Sequence, residues 1–292
     1  MAKGQQIKRR IKSVGSMLQV TKAMELISSI KMRKAQESAN RSKKYVFESW
    51  KSIMLLASDK DIKENPYLNE PENGKILVMA IASDRGLAGS YNSNVLRKIL
   101  ELVQQYGEEN IDFITVGQKV EKFVRKIGGS IVAHFDPGQK IVRFTMISPM
   151  ALIGWEGFSA GKYKKFISIH THFDSVIKMS ATTLQILPIQ PSQLEKFDTQ
   201  TLNDDKIEYK FEPEKSIVLE KIIRQVVRAL TYQAVLESEA AEHASRMVAM
   251  KNASDAADDL KEDFEFTYNQ LRQQSITSEL AEISAGANAQ SS

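Results

Sequence analysis

The chain has 292 residues, of which 42% are hydrophobic and 26% charged, the composition of a folded protein with room for one large or two ordinary cores. It contains no cysteine, which excludes disulfides, thiolate metal sites and thiol redox control. The net charge of +4 is unevenly spread: residues 1–44 hold 12 Lys/Arg against 2 Asp/Glu and residues 215–292 hold 8 against 12, so the two ends attract each other.

The first segment, residues 1–57, reads as one long helix. Ile7, Ile11, Val14, Leu18 and Thr21 follow the 4,3,4,3 spacing of a coiled-coil seam, and no proline occurs before Pro66. At 1.5 Å per residue, roughly 50 residues make a helix about 75 Å long, which outruns any small core. The basic start is not followed by the apolar stretch of a secretory leader, so a cytosolic compartment is the expectation. Residues 58–74 are polar, carry Pro66, Pro71 and Gly74, and read as a linker.

Residues 75–214 change pattern to short apolar strands alternating with amphipathic helices. "KILVMAIAS", "IDFITVG" and "SIVAHF" are expected strands, and "NVLRKILELVQQY" and "QKVEKFVRKIG" expected helices. After a weaker helical stretch near Thr145 to Gly161, "KKFISIHTHF" and "VIKMSATTLQILPI" form a strand hairpin. The alternation predicts a mostly parallel sheet with helices on its faces and an antiparallel edge. Its longest apolar run, Ile76 to Ala82, falls far short of the roughly 20 residues of a membrane span, so no span is expected.

Polar residues 190–214 then lead into a second long helix, residues 215–292, with Pro213 near its start, where proline is tolerated. Ile223, Val227, Leu230, Ala234, Ala241, Ala244 and Val248 fall on one seam, interrupted by Glu237. The small seam residues let a second helix approach closely, and the basic N-terminal helix, running antiparallel, is the expected partner. The helices differ in length, so the last turns of the second must project beyond the first. There, Ile276, Leu280 and Ile283 form an apolar face with nothing after them to pack against.

No catalytic constellation is evident. The turn "SDRGLAGSYNSNV" follows a strand and precedes a helix, where phosphate loops occur, but the full glycine spacing is missing and a structural or partner-contacting turn is the simpler account. "GFSAGKYK" has three residues between its glycines where a phosphate loop needs four, and reads as a helix end with a glycine stop. His170 and His172 point to one side of a strand, a spacing a metal can use, but only Asp174 lies near as a third ligand type and no metal is expected. His134 and His243 are isolated, and no cofactor is expected. The basic first helix attracts phosphates without regard to sequence, but its charges surround an apolar seam without interleaved aromatics, and a solvated or protein-facing surface accounts for them equally well. A nucleic-acid or nucleotide binder is the rival class, and it has no use for an apolar C-terminal tip.

Three stretches resemble one family, the γ subunit of F-type ATP synthase. These are Ile7 to Gln36 with its T-K-A-M-E-L core, "SDRGLAGSYN", and Ser245 to Ala289. The last ends in a signature filled by Ile276, Thr277, Glu279, Glu282, Gly286 and Ala287. The resemblance implies a non-catalytic rotor shaft. The terminal helices form an antiparallel coiled coil inside a ring of α and β subunits, and a Rossmann-like α/β domain sits on the c ring beside the ε subunit. Ion-driven turning of the c ring would then drive the catalytic β sites, on the cytoplasmic face of a bacterial membrane, with no nucleic acid involved. By position, Arg272 and Gln273 match a pair that contacts a loop of β, and Lys22 and Met24 match a segment next to β. Arg85 matches a loop near an acidic lever of β, and Ile276, Thr277, Glu279, Leu280, Ile283 and Gly286 lie on the tip facing the ring. Ala88 and Ser90 depart from the cysteine and glycine usual in that loop. The Thr145 to Gly161 region matches the family poorly.

Overall fold

The computed structural model describes residues 2–56, 65–136, 144–190, 212 and 214–290. In chain order its elements are α1 (Ala2–Leu56), β1 (Lys75–Ile81), α2 (Tyr91–Tyr106), β2 (Ile111–Val116), α3 (Gln118–Lys126), β3 (Ser130–Phe135), α4 (Phe144–Ser159), β4 (Tyr163–Phe173), β5 (Met179–Leu187) and α5 (Lys215–Gln290). Pro213, most of the polar stretch before it and the first part of the expected linker lie outside the described residues. The chain divides into two compact units, Ser29–Ser245 and the pair Met1–Ser28 with Arg246–Ser292.

The larger unit is built on a five-stranded sheet of order β3-β2-β1-β4-β5. The first four strands in that order pair parallel, and β4 and β5 form the expected antiparallel hairpin. The central strand β1 is covered on both faces, which is why its sequence is a continuous apolar run instead of an alternation. Ile76, Val78 and Ala80 pack with Val95, Ile99 and Leu102 of α2 and with Val120 and Val124 of α3. Leu77, Met79 and Ile81 face the opposite way, into a core shared with Val46, Trp50 and Ile53 of α1, with α4, and with Leu219, Ile223, Val227 and Leu230 of α5.

Two features refine the sequence-based picture. Residues 65–74 are not a free tether, because Tyr67 stacks on Trp155 of α4 with ring centroids 4.1 Å apart, a pair worth about 0.5–1.5 kcal/mol beyond its buried area. Its carbonyl also accepts a 2.9 Å bond from the Ile189 N–H. Helix α4 reads weakly because it holds Pro149 and two glycines that packing demands: a Cβ at Gly154 would lie 2.5 Å from the Phe166 ring, and one at Gly157 2.4 Å from the Tyr163 ring. The helix then stops at Gly161 (φ +70°), where Lys162 N–H bonds the Gly157 carbonyl and Gly161 N–H the Phe158 carbonyl. These two bonds are the glycine stop expected of "GFSAGKYK".

In the smaller unit the two helix segments run antiparallel. Leu18 and Thr21 of α1 and Met250, Ser254 and Ala257 of α5 are buried, and Ser254 Oγ donates to Thr21 Oγ1 at 2.8 Å. Lys22 and Asp258 pair at 3.6 Å, but both are about half exposed, so the pair adds under about 1 kcal/mol. The expected seam fails at Val248, which is 37% exposed. Six residues, not seven, separate the buried positions Ala244 and Met250, and this shortened step turns Val248 outward.

Gly154→Ala should lower stability by about 1–3 kcal/mol despite alanine's better helix propensity, because Phe166 is fully buried and cannot yield. Gly15→Ala, with nothing within 4 Å of the new Cβ, should raise it by about 0.5–1 kcal/mol. Urea midpoints of the two variants check both signs.

Candidate functional site

Open α/β sheets bind ligands beyond the carboxyl ends of their strands, where the strand order reverses. In this sheet that place lies between β1, which leads towards β2 and β3, and β4 on its other side. The chain fills it with its own helix. Ala88 and Tyr91, just beyond β1, pack with Phe173, Met179 and Ala241 of α5. Tyr91 Oη and Ser238 Oγ lie 2.8 Å apart.

Beside this contact, His170 and His172 point from β4 towards α5, on one side as their spacing predicts. Between them lies Glu237, the residue that interrupts the seam. Its Oε2 is 2.5 Å from His172 Nδ1 and 3.7 Å from His170 Nε2, and its Oε1 accepts from Gln233 Nε2 at 2.7 Å. The other nitrogen of His172 is 2.9 Å from Asp174 Oδ1. A neutral imidazole has one N–H and cannot donate to two carboxylates, so the geometry fits the imidazolium. Hydrogen bonding to Glu237 raises the His172 pKa above its ordinary value against the cost of burial, and Asp174 adds to the rise. Burial alone would raise the Glu237 carboxyl, but the two imidazoles and the Gln233 amide together hold it far below the carboxylate range. Among the described residues no cluster of three or more His, Cys, Asp or Glu has the geometry to hold a metal ion.

The turn "SDRGLAGS" has an inner side and an outer rim. Ser83 is tied to the Asn92 carboxamide oxygen through both its N–H (3.0 Å) and its hydroxyl (2.9 Å), and Asp84 accepts the Gln118 N–H at the start of α3. Burial, with Asp136 nearby, raises the Asp84 pKa. The rim carries Arg85 and Leu87, both exposed, with Leu87 in the left-handed region (φ 64°). A leucine held there is strained by about 1–2 kcal/mol, and its side chain is 62% exposed.

The residues matched to partner contacts lie as follows. Lys22 is exposed and Met24 half-buried on α1, and Arg272, Gln273, Thr277 and Glu279 are exposed on α5. Thr21 faces Ser254 and Arg10 lies over the Phe264 ring, so the antiparallel pairing runs out at about residue 273, level with the start of α1. Beyond it Ile276, Leu280 and Ile283 are 48%, 63% and 69% exposed. Helix α5 continues through Gly286, at which only the backbone is described. The His172 and Glu237 pairing was missed by sequence reasoning. Its signal was the one charged residue on an otherwise apolar seam, opposite two histidines that share a strand face.

Glu239 sits half-buried on α5, and burial together with the neighbouring Glu242 pushes its carboxyl up to about 7 against the opposing charge of Lys31.

A family model described as ATP synthase matches residues 3–290. The chain is 34% identical over 292 residues to the ATP synthase gamma chain of Stenotrophomonas maltophilia (strain R551-3), covering 99% of this chain and all of that one. It is 35% identical over 295 residues to the gamma chain of Xanthomonas campestris pv. campestris (strain B100), with the same coverage. Its fold is shared by a chain of the Euglena gracilis mitochondrial ATP synthase OSCP/F1/c-ring structure, with a TM-score of 0.66 and 16% identity over 99% of this chain and 94% of that one.

The raised His172 pKa contributes stability that is complete below pH 6.5 and lost as pH rises through the folded value, whereas the depressed Glu237 contribution is present above pH 4.5 and lost only in strong acid. The difference in urea midpoint between wild type and His172→Gln should therefore shrink as pH rises above 6.5. Glu239 has the opposite character, since its charged form is the disfavoured one in the fold. Glu239→Gln should stabilise the chain by about 1–3 kcal/mol at pH 8, with little effect at pH 5.

Proposed function

Because the chain belongs to the ATP synthase γ-chain family, we propose that it is the shaft of that complex's central stalk, turned by the c ring and turning within the ring of α and β subunits. The observation that carries this reading is the end of α5. An apolar face of Ile276, Leu280 and Ile283 extends past the last antiparallel partner and is left open to solvent. A helix end built this way needs an apolar sleeve, and a ring of α and β subunits is one.

On this reading Arg272 and Gln273 meet a loop of β, and Lys22 and Met24 lie along a neighbouring part of it. Arg85, beside the exposed and strained Leu87, faces an acidic segment of β. The side chains of Thr277 and Glu279 are held locally, by the Gln273 carbonyl at 2.9 Å and by Ser275 Oγ at 3.2 Å, and present a fixed polar surface beside the apolar one. The sheet domain meets the c ring and the ε subunit. The chemistry of ATP synthesis belongs to β, and this chain contributes asymmetry and stiffness. Among the described residues no helix is long and apolar enough to cross a membrane; on this reading the chain is peripheral, on the cytoplasmic face of a bacterial membrane. Ion-driven rotation of the c ring then reaches β as a change of shape.

Removing residues 276–292 should leave the sheet domain folded, with its hydrogen-exchange protection intact, while assembly with α and β or coupled synthesis falls. Loss of protection in β1 and β4 would show that the tip is part of the core. Arg272→Ala should weaken binding to the α/β ring by about 1–3 kcal/mol in a titration with purified subunits. Gly286→Trp should slow rotation by obstructing a narrow bearing, and normal turnover in that variant counts against the bearing.

A further inference from the structure

We propose that the Glu237 clasp is a register pin, which stops α5 from slipping against the sheet when the shaft is under load. The inference rests on the shaft reading above. Helix α5 is held to the sheet unit through Ser245 and is continuous from there into the other unit. Helix α1 is likewise continuous across the boundary at Ser28, and the share of any torque that α5 carries crosses its last stretch of contact with β4, β5 and the β1 turn.

That stretch carries Ala240, Ala241 and Ala244, all fully buried, and Ala241 packs against Ala88, Tyr91, Phe173 and Met179. Methyl groups allow close approach but offer no ridges, and apolar attraction is non-directional, so such a surface fixes distance better than register. Directional contacts are gathered beside the alanines. Glu237 is seated between His170 and His172, Ser238 meets the Tyr91 hydroxyl, and Ser245 Oγ donates to Met179 Sδ at 3.7 Å. Moving α5 by one turn would withdraw the Glu237 carboxylate from both imidazoles and leave charge buried without a partner, a cost that resists slippage under force. A buried ionic group in an apolar seam is a recognised means of fixing register.

The groups facing the clasp come from both packed elements. Helix α5 supplies Gln233 and Glu237; strand β4 and its turn supply Ser168, His170, His172, Asp174 and Lys178, the last paired with Asp174 at 3.0 Å. Replacing buried ion pairs by apolar residues of similar size often leaves stability unchanged. Apolar replacement therefore separates a pin from a simple structural tie.

The test uses the complete complex assembled with this chain, comparing ion-driven ATP synthesis with unloaded ATP hydrolysis. Wild type should support both. Wild type that assembles with no α/β ring sinks the shaft reading itself, independently of the clasp. With wild type active, the double variant His172→Leu with Glu237→Leu should keep its melting temperature yet lose synthesis several-fold more than hydrolysis. The exchanged pair His172→Glu with Glu237→His should recover most of the lost synthesis. An unchanged synthesis-to-hydrolysis ratio in the apolar variant overturns the proposal, whether or not its melting temperature falls. Failure of the exchanged pair to recover any synthesis, in a chain that melts like wild type, overturns it as well.

Discussion

Helix α5 can be seated only where the sheet offers both an apolar floor and a partner for Glu237. Phe166, Ile186 and Leu187 of β4 and β5 supply part of the floor, and His170 and His172, two and four residues further along β4 from Ser168, supply the partner. The rest of the larger unit follows from that seat. The crevice at the strand ends, where related architectures hold a ligand, is taken by Ser238 and Ala241, so the β1 turn packs inward on the helix through Ala88 and Tyr91 and turns Arg85 and Leu87 outward. Two carboxylates flanking one imidazole also make the seat sensitive to pH, tightest where His172 carries its proton.

Much of this was legible in the sequence. The 4,3 spacing that begins at Ile7 continues in the structure through Ser28, Met32, Ala35, Ala39, Ser42, Val46 and Ile53, because a buried seam imposes one periodicity on the whole helix. The doubly covered β1, the hairpin and the glycine stop at Gly161 were each readable from local chemistry. Strand order was not, since any of several arrangements satisfies the same hydrophobic pattern. Val248 was misplaced because a one-residue change of helical phase cannot be seen in a row of alanines and methionines that suit either phase.

The site was harder to read than the fold. Glu237 registered only as an interruption, and His170 and His172 only as a spacing, because residues 65 positions apart are brought together by the path of α5 over the sheet. The tip was legible for the opposite reason. Ile276, Leu280 and Ile283 have no antiparallel partner among the described residues and are 48–69% exposed. On the proposed shaft reading, a helix clasped to the sheet at Glu237 and apolar beyond its antiparallel pairing would carry force to a surrounding sleeve.

The most direct measurement follows rotation itself. The chain has no cysteine, so one introduced on the exposed rim of the sheet domain gives a unique site for a bead. With α and β subunits immobilised and ATP supplied, the account predicts sustained rotation of the bead in one direction. Stable assembly with ATP hydrolysis and a bead that does not turn would contradict it.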